Sequence, residues 1–362
     1  MPRLAHLGLG HFFRAHQAWY TERANGLNPD ETWAYTAFTG RSPVLAEAMT
    51  AGGDRYTLIE RGADGDTAST ITSVTRSIPG DDADGWVAAF SDPELAVVTV
   101  TVTESGYGDA PTAAPTRLLT GIAARRAVGA GPLAVVSCDN LAGNGEVLHG
   151  AVARLAEASD LALARWVERN VTFPSTMVDR ITPHTDDPLV VVTEPFSEWV
   201  IAGDFPAGRP AWHEVGVRFV DDVAPYERRK LWLLNAAHTT MTYLGLLRGL
   251  ETIDQAWGDA EIRATVEQLW TEVRPVLGQG LSMTLPDDEM DAALAALRPR
   301  FANPRIAHRL EQIARQGREK LAQRQQAIMA ARIEAGLPAG EACEATIAAF
   351  DEIVRKGEFR VD

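Results

Sequence analysis

The sequence predicts an α/β domain built on a parallel sheet, followed by a mostly α-helical C-terminal domain. Three observations carry that prediction. Short strand-like runs alternate with helical segments through roughly the first 140 residues. A Gly-Leu-Gly turn directly follows the first of those runs. From Pro225 onward almost every segment has a helical pattern. Strand–helix alternation implies βαβ units and a parallel sheet. A chain of 362 residues also exceeds what one core comfortably serves, so two domains are expected.

In order, residues 3–7 (Arg-Leu-Ala-His-Leu) read as a strand, and 12–24 as a helix. A second strand is expected at 33–38. Further strands follow at 56–60 and 70–77, which would suit a hairpin, and a short helix at 84–90. The clearest strand is 95–103, Leu-Ala-Val-Val-Thr-Val-Thr-Val-Thr, whose apolar half suits a buried parallel sheet. A helix is expected at 117–128 and a buried strand at 133–137. Segments 189–193, 199–201 and 215–220 are strand-like, separated by Pro- and Gly-rich turns. Pro225 suits a first helical turn, and helices are expected at 226–248, 252–275, 287–298, 303–335 and 339–355. The domains are therefore placed at 1–224 and 225–362.

Composition narrows the function classes. The chain is 46% hydrophobic and 23% charged, as a globular protein is, with a net charge of -15. Such a charge repels nucleic acid and anionic membrane, although a local Lys/Arg cluster could still hold an anionic substrate. Cys138 and Cys343 are far apart and belong to no Cys-x-x-Cys pair, which argues against a disulfide framework or a thiolate zinc site. No basic-then-apolar leader precedes Gly8, and no run reaches the length of a membrane span. A cytoplasmic protein is expected.

The segment His6-Leu7-Gly8-Leu9-Gly10-His11-Phe12-Phe13-Arg14 lies between a strand and a helix, as a dinucleotide loop must. Gly8 would permit the tight turn, and Gly10 would let the backbone approach a pyrophosphate. Phe13 stands where the third glycine of Gly-x-Gly-x-x-Gly is usual, so an ordinary strand–helix turn fits as well. The second strand runs into Thr39-Gly40-Arg41-Ser42. An acidic residue here would bind the ribose hydroxyls of NAD, whereas an Arg accommodates the phosphate of NADP. Arg41 and Ser42 thus lean toward NADP or mixed use; Arg41 as a solvated loop charge is the alternative.

Three polar clusters fall where core or plain surface would be expected: Ser137-Cys138-Asp139-Asn140, with Asn144-Gly145 following; Met177 through Pro183; and Lys230 through His238. The first ends a buried strand, where sites form on open α/β sheets. On a regular helix Leu231, Leu234, Met241 and Leu244 make an apolar stripe that includes His238. Asn235 would lie roughly 60° from His238, and Lys230 roughly 80° away on the other flank. His238 could equally be a satisfied core histidine, and Lys230 a surface charge. Lys230 would serve as a base only if partial burial lowered its pKa, and Asn amides suit an oxygen that gains negative charge.

These clusters are arranged in a way that resembles the long-chain mannitol dehydrogenase family, which includes polyol 2-dehydrogenases and fructuronate and tagaturonate reductases. The resemblance runs from Gly8 to about Lys320. It rests on Gly-Leu-Gly-His-Phe-Phe-Arg-Ala-His-Gln (8–17), Thr-Val-Thr-Glu-Ser-Gly-Tyr (101–107) and Ser-Cys-Asp-Asn-Leu-Ala-Gly-Asn-Gly (137–145). Phe-Pro-Ser-Thr-Met-Val-Asp-Arg-Ile-Thr-Pro (173–183), Glu-Pro-Phe-Ser-Glu-Trp-Val-Ile (194–201) and Lys230 through His238 complete it.

The resemblance implies an α/β Rossmann-type dinucleotide-binding domain followed by a mostly α-helical C-terminal domain. It implies NAD or NADP bound by Gly8, Gly10, His11, Phe12, Thr103, Glu104 and Asn140, to which Arg41 and Ser42 are added from their own place after the second strand. Lys230 would be the general base, Asn140 and Asn235 the oxyanion site, and His238 a ligand of substrate hydroxyls. Val178, Asp179 and Lys320 would also border substrate, and no metal would take part. The expected reaction interconverts a sugar alcohol and a ketose in a monomer or weak homodimer. A sugar-acid reductase and a catalytically silent NAD(P)-binding regulator are the alternatives. The chain departs from the family pattern at Arg41-Ser42, by its shorter length around 205–225 and at the C-terminus, and along 315–320. That last departure leaves open which of Arg309, Arg315 and Lys320 faces substrate.

Overall fold

A computed structural model describes residues 3–40, 42–102, 104–108 and 110–357. Its contacts divide the chain into two compact units. One holds the chain up to Arg61 together with Asp66–Val223; the other holds Gly62–Gly65 and the chain from Ala224.

The first unit carries strands β1 (Leu4–Leu7), β2 (Tyr35–Phe38), β3 (Tyr56–Arg61), β4 (Asp66–Ile71), β5 (Val74–Ile78) and β6 (Val97–Val100). These are followed by β7 (Leu133–Ser137), β8 (Val171–Thr172), β9 (Ser175–Asp179), β10 (Val190–Thr193), β11 (Glu198–Ala202) and β12 (Arg218–Val220). The main sheet has the order β5-β2-β1-β6-β7-β8, with its strands paired in parallel. Numbered within that sheet the order is 3-2-1-4-5-6, the doubly wound Rossmann arrangement, whose switch point lies between β1 and β6.

The residues explain this sheet. Every residue of β1, β2, β6 and β7 is buried. Alternation along each strand feeds two separate cores. Leu4, Tyr35, Val97, Ala134 and Val136 face one; Leu7, Phe38, Val98, Leu133 and Val135 face the other. Only a sheet covered on both faces accepts such runs. Two small sheets complete the unit, β10-β3-β4 and β12-β11-β9.

Several boundaries differ from expectation. The helix expected at 12–24 breaks at His16, giving His11–Ala15 and Gln17–Leu27. There the buried His16 ring donates through Nε2 to the Glu198 carbonyl at 3.0 Å. The strand expected at 70–77 is the end of β4 and most of β5, which belong to different sheets. The Glu22 carboxylate accepts the Thr72 and Ser73 N–H groups at 2.8 and 2.6 Å and turns the chain between them. The hairpin is β3–β4. The 95–103 strand shortens to β6, and 215–220 shortens to β12 behind a turn at Gly216 (φ +99°). Helices Val44–Ala51, Asn144–Ser159 and Leu161–Asn170 and strand β9 were not anticipated.

The second unit is helical. Expected helix 226–248 is interrupted: Ala224–Arg229 leads into a π-helical turn, Lys230–Asn235, and then Ala236–Leu247. Asp259 splits the next helix by accepting the N–H groups of Glu261 and Ile262 as the cap of Ala260–Val273. The continuous helix expected at 303–335 is not formed. Its first residues are irregular, and the rest is Leu310–Ala314, Gly317–Leu321, a second π turn Ala322–Gln326, and Ala327–Glu334. Left-handed Ala307 (φ +48°) and Gln316 (φ +56°) break the helical path. Helices Asp287–Phe301 and Glu341–Lys356 lie close to their expected spans. The core gathers Leu233, Met241, Leu269, Trp270, Phe301 and Phe350.

Candidate active site

In the first unit the glycine turn follows β1 at the switch point, where open α/β sheets hold ligands. Gly8 adopts φ +112°, and a Cβ there would lie 1.9 Å from the Thr101 carbonyl oxygen that follows β6. Only glycine fits. Gly10 has extended backbone, and its nearest neighbour for a Cβ is the Gly8 oxygen at 3.4 Å, which leaves its face open. That cradle fits a dinucleotide. Phe13, where a third glycine is usual, is buried and stacks on His6 at 3.6 Å between centroids. His6 bridges Thr99 and Thr101 at 2.8 and 3.0 Å, and burial pushes its pKa down to about 3. It is a neutral strut under the turn.

His11 is half-buried and bonds Thr185 Oγ1 at 3.0 Å. The Thr185 hydroxyl donates to the Val190 carbonyl, so His11 Nε2 is the donor. Burial, then Arg14 and His184, lower its pKa. Phe12 stacks on His16. Ser42 is exposed, and its hydroxyl accepts the Val44 N–H at 3.4 Å. Arg41 and Thr103 lie outside the described residues; Glu104 opens a single 3-10 turn, Glu104–Tyr107.

That turn is tied to the end of β7. Asp139 accepts the Val102 N–H at 2.6 Å and the Tyr107 hydroxyl at 2.5 Å. Burial raises the Asp139 carboxyl to about 7. Asn140 follows it and is exposed. Buried Asn144 pins this strand end to β9: its amide donates to the Asp139 and Thr176 carbonyls at 2.9 and 2.8 Å, and its oxygen accepts the Thr176 N–H at 2.9 Å. Val178 and Asp179, both buried, close β9.

In the second unit Lys230 and Asn235, both half-buried, are the first and last residues of the π turn. The Ala236 N–H reaches back to the Leu231 carbonyl, five residues away. The angles expected on a regular helix between Lys230, Asn235 and His238 therefore do not apply. Wide turns of this kind are frequent at functional sites. His238 is only 6% exposed, and among the described residues its Nε2 has no hydrogen-bond partner. It is not a satisfied core histidine. Its ring packs between Phe301 and His308, at 5.1 and 5.3 Å. Burial and the charges of Arg300, Arg324 and Lys230 hold it neutral.

Lys320 is half-buried and donates to the Ile313 carbonyl at 2.8 Å, while Arg309 and Arg315 are exposed. Burial pulls the Lys320 pKa down to about 8. Two residues beside this cluster escaped the sequence reading. His308 lies in the irregular stretch after Phe301, outside any helical period. Arg324 donates to the Asn235 carbonyl at 3.1 Å and to Thr239 Oγ1 at 2.7 Å. No periodic signal marked either one.

Both cysteines are buried and free. Among the described residues no three His, Cys, Asp or Glu side chains gather as a cation would need, and no helix is long and apolar enough to cross a membrane.

The chain is similar to known proteins over most of its length. Residues 2–214 match the model of the mannitol dehydrogenase Rossmann domain, and residues 222–345 that of the mannitol dehydrogenase C-terminal domain. The D-mannonate oxidoreductase of Escherichia coli is 36% identical, over 89% of this chain and 74% of its own. The polyol:NADP oxidoreductase of Gluconobacter oxydans is 32% identical, over 88% of this chain and 73% of its own. The mannitol 2-dehydrogenase of Pseudomonas fluorescens, solved as a ternary complex with NAD and D-mannitol, superposes with a TM-score of 0.83 at 30% identity, over 98% of this chain and 79% of that one. With a Rossmann unit matched over residues 2–214 and a helical unit matched over 222–345, the chain belongs to the mannitol dehydrogenase family.

Proposed function

We propose that this oxidoreductase interconverts a sugar alcohol and a ketose with NAD or NADP, using Lys230 as proton acceptor and no metal ion. The observation that carries the reading is the π turn, which starts at Lys230 and ends at Asn235, with the unsatisfied nitrogen of His238 one turn further on. Residues 1–224 serve as the cofactor domain and 225–362 as the substrate domain. Gly8, Gly10, His11, Phe12, Arg41, Ser42, Thr103, Glu104 and Asn140 are assigned to the cofactor.

The nicotinamide ring supplies the hydride acceptor or donor when bound. In oxidation Lys230, neutral, takes the proton of the substrate's secondary hydroxyl; in reduction its ammonium returns it. Asn140 and Asn235 donate amide hydrogens to the oxygen as its charge grows. His238 orients a neighbouring hydroxyl, and Val178, Asp179 and Lys320 border the sugar. Cofactor preference follows Arg41, which favours NADP, and the two relatives above are named for NAD and NADP complexes or use. A cytoplasmic monomer or weak homodimer completes the reading.

A sugar-acid substrate is the second reading. Half-buried Lys320 would suit a carboxylate, and one relative is named a D-mannonate oxidoreductase. A panel of polyols, ketoses and hexuronates, followed at the nicotinamide band with NADH and with NADPH, tests both. Turnover of mannitol or fructose supports the first. Turnover confined to hexuronates supports the second. Tight cofactor binding without turnover on any of them contradicts both.

A further inference from the structure

Three side chains from elsewhere in the same unit donate to carbonyls of the Lys230–Asn235 π turn and of Ala236 that follows it. Trp270 Nε1 donates to the Leu233 carbonyl at 2.9 Å. Gln325 Nε2 donates to the Ala236 carbonyl at 3.0 Å. Arg324 Nη1 donates to the Asn235 carbonyl at 3.1 Å and to the Thr239 hydroxyl at 2.7 Å; that hydroxyl itself donates to the Asn235 carbonyl at 3.0 Å. Arg324 and Gln325 both lie on the second π turn, Ala322–Gln326. Two irregular turns are thus locked face to face, through side chains of one and backbone of the other.

Trp270 and Gln325 are fully buried and account for packing. Arg324 is different. It is half-buried, and no carboxylate pairs with it among the described residues. A neutral amide satisfies the neighbouring carbonyl, so a guanidinium is not needed for satisfaction alone. Its Nη1 alone reaches two acceptors, the Asn235 carbonyl and the Thr239 hydroxyl, which flank His238 in sequence.

We propose that Arg324 is a positioning residue, whose guanidinium fixes the end of the Lys230–Asn235 turn and thereby the direction of Lys230 relative to Asn235 and His238. The inference rests on the reading of Lys230 as proton acceptor. Arg324 touches backbone and a threonine hydroxyl, and acts through them.

The test compares wild type with Arg324→Ala, Arg324→Gln and Arg324→Lys on a polyol that wild type oxidises. Arg324→Ala is expected to lose about 100-fold in kcat, the scale of an ångström-sized misplacement. NADH affinity should be unchanged, and added millimolar guanidinium should restore part of kcat. Arg324→Lys, which keeps a cationic donor, should retain more turnover than Arg324→Gln. Unchanged kcat in Arg324→Ala, or a rise in sugar KM alone, overturns the inference. If Arg324→Ala does not fold, Arg324→Gln is decisive: a fall in kcat supports positioning, and wild-type kcat overturns it. No turnover by wild type on any polyol overturns the reading of Lys230 itself, a result distinct from an active wild type with indifferent variants.

Discussion

The imidazole of His238 sits edge-on to that of His308, with ring centroids 5.3 Å apart. Burial keeps both neutral: it holds His238 well below the usual histidine range and His308 at about 4. In the unfolded chain such a ring takes a proton near pH 6.5. Between about pH 4 and 6.5 the unfolded state therefore binds more protons, and stability falls as pH falls through that window. Asp139 acts in the opposite sense. Its carboxyl, raised to about 7, keeps a proton that the unfolded chain releases near 4, so stability falls as pH rises from about 4 to 7. Denaturant midpoints measured across this range should respond oppositely in two variants. His308→Asn should flatten the rise of stability with pH, and Asp139→Asn should steepen it. Parallel curves for all three proteins would contradict these environments.

The two glycines of the cofactor turn should separate structure from binding. Gly8→Ala drives a Cβ to 1.9 Å from the Thr101 oxygen at a left-handed φ, so it should cost more than 2 kcal/mol and yield little folded protein. Gly10→Ala meets nothing closer than 3.4 Å and should fold normally. Its methyl group instead occupies the face left open for a pyrophosphate. Circular dichroism should show native Gly10→Ala, and NADH titration should show weakened binding. Wild-type NADH affinity in Gly10→Ala would remove that glycine from the cofactor site.

Lys320 should make sugar binding sensitive to alkali. Its pKa of about 8 means that the cation is lost as pH rises through that value. If it borders substrate, the KM for sugar rises above pH 8 while the KM for cofactor does not. Lys320→Met should raise the sugar KM at neutral pH and abolish its alkaline rise. An unchanged KM profile would leave Lys320 as a helix clamp on the Ile313 carbonyl.

The two asparagines should behave as oxyanion donors. Asn140→Ala and Asn235→Ala are each expected to cost about 3 kcal/mol of transition-state stabilisation, read from kcat/KM. Asn235→Ala keeps its backbone carbonyl, so the bond from Arg324 should survive and the fold with it. A loss below about threefold in either variant would remove that residue from the role.

The sequence disclosed the parts of this protein that rest on local pattern. The strand at 133–137 is β7 without correction, and the other three buried strands lie within the expected runs 3–7, 33–38 and 95–103. Gly8 was legible because only one residue type tolerates its backbone and its neighbour. The irregular parts were not legible, because distant residues create them. The Lys230–Asn235 turn and Ala236 after it accept bonds from Trp270, Arg324 and Gln325, which no window of sequence contains. The break of 303–335 turns on left-handed Ala307 and Gln316, residue types that carry no turn signal. His308 reaches His238 through that break, so helical periodicity could not pair them. Resemblance named Lys320 alongside Arg309 and Arg315; burial is what sets it apart from the other two.

The most direct test of the central claim is the single-turnover rate of Lys230→Ala with a sugar alcohol that wild type oxidises, measured beside its NADH affinity. The account predicts that turnover falls by several orders of magnitude, while NADH binds as in wild type. A Lys230→Ala protein that binds NADH and turns over at a near-wild-type rate would contradict it.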